Sequence, residues 1–399
     1  MNKKISLGVA ISLVAIGCAI TFVLTWAVSL NIYNSKIGSS EKYEGVYAKL
    51  REMDTAVRTH YIGTINDDTL ESSVLKGYVS GIGDQYAEYL PANSYFEFKQ
   101  TTDGVVQGTG IEAAADGSGY LVVSSVYKGS SAEINGVMAG DVITEINGKS
   151  LLNYSESDAK AMLSDGIGTK LAIKILRSGE ELGMNLVCQQ LEIESVTGRV
   201  INEKIGYIVV SAFNAKTAEQ FSGVLDTLLE SDVKALVIDV RNNLGGSVPA
   251  LKPMLNHFIT TAIVATAEYA DGSQKTLVET DSSEVISLPT AVLVDANTAS
   301  ASELFACALR DNCGAVLVGE QTRGKAVMQS VYELTDGSAV RITTAKISTP
   351  KSGCYDGEGL KPDYVTELAA GTSYDMLTDE NDTQLQKALE VLASVLPAE

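Results

Sequence analysis

The chain has 399 residues, enough for two or three domains, and its 45% hydrophobic and 20% charged content is that of a globular protein. Acidic residues outnumber basic ones by 50 to 30, a net charge of −20, so no basic surplus exists to neutralise phosphates and nucleic acid is not an expected partner. With two histidines and no Cys-x-x-Cys pair among five cysteines, neither a metal site nor a cofactor is expected.

Lys3 and Lys4 precede an uncharged apolar run from Ile5 to Leu30, with the only tryptophan, Trp26, near its far end. As a helix this run would reach about 39 Å, enough to cross a bilayer core with tilt. Residues 1–36 are therefore expected to be a cytoplasmic stub and an uncleaved transmembrane signal anchor. The lysines place its start in the cytoplasm and the body of the chain outside. Ala27-Val28-Ser29 would suit a cleavage site, but the run is long for a removable signal. A lipid-bearing Cys18 is a further alternative, against which the apolar residues after it argue. Cys188, Cys307, Cys313 and Cys354 then remain outside, read as buried free thiols with pairing left open.

From about Ser39 to Phe98, Tyr43, Val46, Tyr47, Leu50 and Met53 recur at helical steps, until Gly77–Gly83 and Pro91 break the pattern. Residues 37–100 read as a helical arm, a spacer or dimerisation element away from the chemistry. Residues 101–189 change to short β-runs with glycine turns. Tyr120–Val126 and Asp141–Ile146 are strands, Asn147-Gly148 is a tight turn, Ser155–Leu163 a helix and Lys170–Leu176 a strand. The loop Gly108-Thr109-Gly110-Ile111 and the stretch Gly140-Asp-Val-Ile143 resemble those of a PDZ domain. That resemblance implies that the glycine-loop amides bind a peptide carboxylate while the peptide adds as a strand.

Residues 190–370 alternate strand and helix: Ile205–Ala212, Ala215–Leu229, Ala235–Val240, Thr290–Asp295 and Ala315–Val318. Such alternation predicts an α/β core with buried parallel strands. Met376–Leu396, within a tail of 371–399, reads as an amphipathic helix.

Ser300 follows a buried strand and opens a helical run, a placement that exposes a nucleophile and aims helix amides at a developing oxyanion. In isolation the reading of Ser300 as an N-cap, with Glu303 forming a capping box, prevails over that of a nucleophile, and it is the surrounding context that favours the latter. A second loop, Asp239-Val-Arg-Asn-Asn-Leu-Gly-Gly246, closes the strand before it. The Gly245 and Gly246 amides are candidates for one oxyanion donor and that of Ala301 for the other. Lys325 lies 25 residues beyond Ser300, between Gly324 and the apolar Ala326-Val-Met328, with Gln329 placed to orient its amine. A free lysine is neutral on the order of one time in a thousand near pH 7, so a basic role requires desolvation. His257 is the rival base, in a sequence context that reads as a helix face, and His60 lies in the arm.

Thr298-Ala-Ser-Ala-Ser-Glu303, Arg310-Asp311, Val318-Gly-Glu320, Gly324-Lys325 with Gln329, Asp336-Gly-Ser338, Thr343-Thr-Ala-Lys346, Thr349-Pro350 and Gly359-Leu-Lys-Pro-Asp363 together resemble the carboxy-terminal processing peptidases, or tail-specific serine proteases. The likeness spans roughly residues 40–390. It departs at Thr298, Leu244 and Ala326, where the family often has Ser, Pro and Gly. The resemblance implies a multidomain α/β chain with a ClpP/crotonase-like peptidase core. It also implies Ser300 as nucleophile, Lys325 as general base, Gln329 as orienting partner, and an oxyanion hole from Gly245, Gly246 and Ala301. Protein C-termini would be the partners, with gating by the PDZ domain and a possible homodimer. The expected activity is that of a membrane-anchored serine endopeptidase, and the alternative is a non-catalytic peptide-binding scaffold on the same fold.

Overall fold

The computed structural model describes residues 41–369 and 371–396, together with 8, 16, 17, 20–26 and 29. The expected anchor Ile5–Leu30 falls largely outside the described residues. Among the described residues no helix is long and apolar enough to cross a membrane.

Two compact units divide the chain, residues 1–74 and 75–399. The first holds helix α1 (Glu41–His60) and the start of α2 (Asp67–Ser80). Arg58 bridges Asp54 at 2.9 Å and Asp67 at 2.5 Å, on an exposed surface where such pairs contribute about 1 kcal/mol or less. Val46, Tyr47, Met53 and Val57 of α1 are exposed.

The second unit begins with the end of α2, strand β1 (Glu88–Leu90) and helix α3 (Ala92–Asp103). A small β-domain follows, made of β2 (Val105–Gly108), β3 (Ile111–Ala115), β4 (Leu121–Val126), α4 (Ser131–Ile134), β5 (Val142–Ile146), β6 (Lys149–Ser150), α5 (Glu156–Leu163), β7 (Lys170–Arg177), β8 (Glu180–Val187) and β9 (Gln189–Glu192). Its sheet runs β3-β4-β5-β7-β8, with β6 on β5, and every pairing is antiparallel. Alternation along β7 sends Leu171, Ile173 and Ile175 into a core with Leu121, Ile143 and Leu186. The entering and leaving strands β2 and β9 pair with each other and close the domain at its neck.

The core domain comprises β10 (Val196–Ile201), β11 (Ile205–Val210), α6 (Thr217–Glu230), β12 (Ala235–Asp239), α7 (Leu251–Leu255), β13 (Ala262–Tyr269), β14 (Gln274–Thr280), β15 (Thr290–Val294), α8 (Ala301–Cys313), β16 (Val316–Gly319), β17 (Val327–Glu333), β18 (Ala339–Ser348), β19 (Tyr364–Val365) and α9 (Thr383–Val395). One sheet runs β10-β11-β12-β15-β16-β19, parallel except for β10. Its strands are covered on both faces, which explains their unbroken apolar runs. Leu236, Ile238, Val292 and Val294 meet Phe221 and Leu225 of α6 and Leu304 and Phe305 of α8. Ala235, Val237, Ala291 and Leu293 face Leu385, Leu389 and Leu392 of α9.

A second, antiparallel sheet runs β1-β18-β13-β14 with β17 on β18. These strands escape a reading based on apolar runs, because β18 carries Arg341, Thr343, Thr344 and Lys346 among its apolar residues. Two further readings need correction. The tail helix starts at Thr383, because the Asp382 side chain accepts from the amides of Gln384 and Leu385 and caps it there. The four cysteines are free as expected, but only Cys188 and Cys307 are buried while Cys313 and Cys354 are exposed.

A buried ionic group fastens α9 to the parallel sheet. Arg241 bonds Asp239 and Asp382, at 2.6 and 2.7 Å from one terminal nitrogen, and reaches Gln384 Oε1 at 2.9 Å. The Asp239 carboxylate also accepts from Tyr207 Oη at 2.6 Å, and the Tyr374 ring lies under the guanidinium. Removing one member leaves two carboxylates buried without their cation. Arg241→Ala is therefore expected to lose about 3–5 kcal/mol of unfolding free energy, read from a lowered urea midpoint at unchanged slope. A loss under about 1 kcal/mol, the value of an exposed pair, would show that the group is not buried in solution.

Candidate active site

Ser300 sits in the turn between β15 and α8 with φ 59° and ψ −117°. A side chain at positive φ outside the small left-handed well is strained, at a cost of about 1–3 kcal/mol that the surroundings must offset. The offset comes from Glu303, three residues on and fully buried. Its Oε2 accepts from Ser300 N and from Lys325 N, each at 2.8 Å. Its Oε1 accepts from Gly324 N at 2.7 Å and Thr322 Oγ1 at 2.5 Å. One carboxyl group therefore binds the turn of the serine to the turn of the lysine, and places the two backbone nitrogens within twice 2.8 Å of one another. The capping-box and nucleophile readings of Ser300 are compatible, since the same Glu303 contact serves both.

The lysine turn is held from its other side as well. Gly324 has φ 80°, and a Cβ there would lie 2.6 Å from Gly359 N, so only glycine lets the two loops touch. Ala326 N donates to Asp356 Oδ1 at 3.1 Å. The Lys325 side chain is half-buried, and among the described residues its ammonium has neither an ion pair nor a hydrogen bond. It lies over the Tyr86 ring, 4.7 Å from the centroid. Burial, then the nearby positive charges of Arg341 and Arg323, lower its pKa from the ordinary 10.5, against the opposing pull of Asp84 and Glu303.

Facing Ser300 is the loop after β12. Gly245 has φ 96°, and a Cβ there would come within 2.9 Å of Ser300 Cβ and Ala301 N, so the loop backbone lies against the serine turn. The Gly245 amide donates to Asn243 Oδ1 at 2.9 Å. The amides of Gly246 and Ala301 have no hydrogen-bond partner among the described residues, which leaves both free to donate. Asn243 is itself buried, donating from Nδ2 to Val210 O at 2.8 Å and accepting from Ala299 N at 3.0 Å. It therefore sets the shape of this loop.

The expected site residues are brought together in part. Ser300, Ala301, Lys325, Gly245 and Gly246 share one neighbourhood, but no hydrogen bond joins Ser300 Oγ to Lys325 Nζ. Gln329, on β17, gives its amide to Thr343 Oγ1 at 3.2 Å and not to the lysine. The rival His257 is half-buried and hydrogen-bonded to Ser222 Oγ at 2.8 Å. Desolvation lowers its pKa, against the nearby charge of Asp226. Sequence reasoning missed Asn243, Asp84 and Tyr86. The reading of residues 37–100 as remote from the chemistry is corrected at its end. Asp84 accepts from Tyr86 N at 2.9 Å and Thr343 N at 3.0 Å, and so sets the Tyr86 ring against Lys325. Gly83, already flagged as a helix breaker, was the available signal for a loop there.

In the small β-domain, Gly108–Ile111 forms the turn between β2 and β3. Thr109 N donates to Leu163 O at the end of α5 (3.0 Å), and Ala132 N donates back to Thr109 O (3.0 Å). The amide of Gly110 has no partner among the described residues. A Cβ on Gly110 would lie 2.1 Å from Ser130 Cβ, so the turn is wedged between α4 and α5.

Residues 204–366 match the model of peptidase family S41, and residues 100–176 match that of the PDZ domain. The chain is 30% identical over 355 residues to the carboxy-terminal processing protease CtpA of Bacillus subtilis, covering 88% of this chain and 76% of that protein. It is 34% identical over 306 residues to the chloroplastic carboxyl-terminal-processing peptidase 1 of Arabidopsis thaliana, covering 73% and 61%. Among solved structures, the photosystem II D1 C-terminal processing protease aligns with 80% of this chain and 86% of its own, at 26% identity and a TM-score of 0.47. A serine turn and a lysine turn fastened to one buried carboxyl group thus lie within the matched peptidase region, and the chain belongs to peptidase family S41, the carboxy-terminal processing serine proteases, with a PDZ domain inserted ahead of its core.

Proposed function

We propose that the chain is a membrane-anchored endopeptidase whose body lies outside the cytoplasm. Its PDZ domain receives the free carboxyl end of a flexible protein, and its core cleaves that protein with a Ser300–Lys325 dyad. The observation that carries the dyad is the Glu303 carboxyl group accepting from both Ser300 N and Lys325 N. Neutral Lys325 takes the Oγ proton as Ser300 attacks the scissile carbonyl, and the resulting ammonium returns it to the leaving amine. A water then gives its proton to Lys325 and hydrolyses the acyl-enzyme. Gly246 and Ala301 supply the free amides for the oxyanion, with Gly245 shaping the approach. Gln329 orients the lysine through Oε1, which accepts from an amine N–H and leaves the nitrogen lone pair for the Oγ proton, while Nε2 keeps Thr343. The free Gly110 amide supports carboxylate capture by the Gly108–Ile111 turn. The uncharged run Ile5–Leu30 supports the anchor, and exposed Val46, Tyr47, Met53 and Val57 support pairing of α1 in a homodimer.

Ser300→Ala and Lys325→Ala are each expected to abolish cleavage of an unstructured protein while keeping the fold. Retained cleavage by Lys325→Ala would remove the lysine from the mechanism. Because the base must be deprotonated and its pKa is lowered, log kcat/KM is expected to climb with pH to a plateau through a midpoint below 10.5. A midpoint at or above that value would contradict the assignment. Glu303→Gln puts an NH2 group among the donors that the carboxyl accepts from, so both turns must shift. A loss of about a hundredfold in kcat/KM is expected, the scale of an ångström's misplacement. An unchanged kcat/KM would show that Glu303 does not position the dyad.

A further inference from the structure

The ammonium of Lys325 rests on an aromatic ring that belongs to the arm and not to the peptidase core. Tyr86 lies between α2 and β1, in a loop fixed by two hydrogen bonds to Asp84 and by the pairing of β1 with β18. Its ring is part-buried and lies near the carboxyl groups of Asp356, Glu303 and Asp84, which, after burial itself, help to raise the phenol pKa. At 4.7 Å from the centroid the lysine cation is within the range at which a ring face attracts it. The attraction needs the charge, because a neutral amine has no cation to offer the ring quadrupole.

Resting on the reading of Lys325 as the base, we propose that Tyr86 is a proton-dependent latch on Lys325. While charged, the amine is held on the ring and off Ser300 Oγ. Once it loses its proton the hold is gone, and the amine is free to accept from the serine hydroxyl. Tyr86 is thus a positioning residue that couples the protonation state of the base to its location. Other charges facing the amine are Arg341 on β18, Arg323 in its own loop, Asp84 beside Tyr86, and Glu303 on α8. The two arginines favour the neutral form, and the two carboxyl groups together with the ring favour the charged one. Because the ring lies on the loop leading into β1, any displacement of that loop also moves the latch.

The test compares the full-length protein with Tyr86→Leu and Tyr86→Phe, measuring kcat/KM on unstructured casein against pH, with Lys325→Ala in parallel. Without a ring the charged amine loses its support. The rising limb in Tyr86→Leu is expected to move down by about half a unit to one and a half units, while Tyr86→Phe keeps the limb where it is. If Tyr86→Leu fails to fold, Tyr86→Trp, the stronger cation binder, is expected to move the limb upward. A second readout needs no activity: carbon-13 labelled lysine in the Ser300→Ala background titrates Lys325 directly, and the same downward shift is expected there. An unmoved titration in Tyr86→Leu overturns the latch. Activity in Lys325→Ala instead overturns the dyad, so the two failures are separable.

Discussion

The buried carboxyl group of Glu303 is the constraint on which the peptidase core depends. The serine and the lysine leave the parallel sheet by different routes, one from the end of β15 and the other after β16 at the head of β17. Because β15 and β16 are parallel neighbours, both turns leave the same end of the sheet, and Arg323 N donates to Thr298 O between them at 3.0 Å. Glu303 then locks the two turns by accepting from backbone amides on both sides, contacts that do not involve the side chains of residues 300 and 325. Its burial makes the arrangement rigid, because an amide released from the carboxyl would be left without a partner in an apolar core, at about 1–3 kcal/mol each. That penalty is what keeps Ser300 in a backbone conformation it would otherwise leave.

The opposite wall of the site depends on a second buried polar group, and the two are linked by the chain. Arg241 ties β12 to the cap of α9, and the residues that follow it form the loop bearing Asn243, Gly245 and Gly246. Asn242 N and Asn297 Nδ2 extend the fastening to Asp295 Oδ1 (3.0 Å) and Asn242 Oδ1 (2.7 Å), so the glycine loop and the serine turn are pinned to each other. A helix at the far end of the sequence therefore helps fix the glycine loop that faces Ser300. This explains why an apparently peripheral tail contributes Asp382 and Gln384 as fully engaged buried polar residues.

Much of this was legible in the sequence wherever burial leaves an unambiguous trace. The parallel strands β11, β12, β15 and β16 are read from their apolar runs, and α6 from Phe221, Leu225 and Leu228. The serine and lysine turns are read from their placement after a strand and after a glycine. The antiparallel sheet was not legible, because β13, β17 and β18 mix polar and apolar residues on a half-covered surface. Tyr86 and Asp84 were missed for a different reason. Their role depends on a strand pairing, Glu88 with Arg341, that spans the whole length between arm and core and leaves no local periodicity. Asn243 was hidden in a doublet of asparagines, the ordinary composition of a turn.

The functional groups of the resting site fall into two sets. The Gly245 amide is held by Asn243, the Gln329 amide by Thr343, and the Lys325 ammonium by the Tyr86 ring. These three are thus held by neighbours, while the amides of Gly246 and Ala301, which the proposed chemistry would use, have no partner among the described residues. Engagement as proposed would move the Lys325 amine from the ring to Ser300 and give the two free amides an acceptor. The backbone scaffold set by Glu303 needs no change for this, since its bonds to Ser300 N and Lys325 N involve neither reacting side chain.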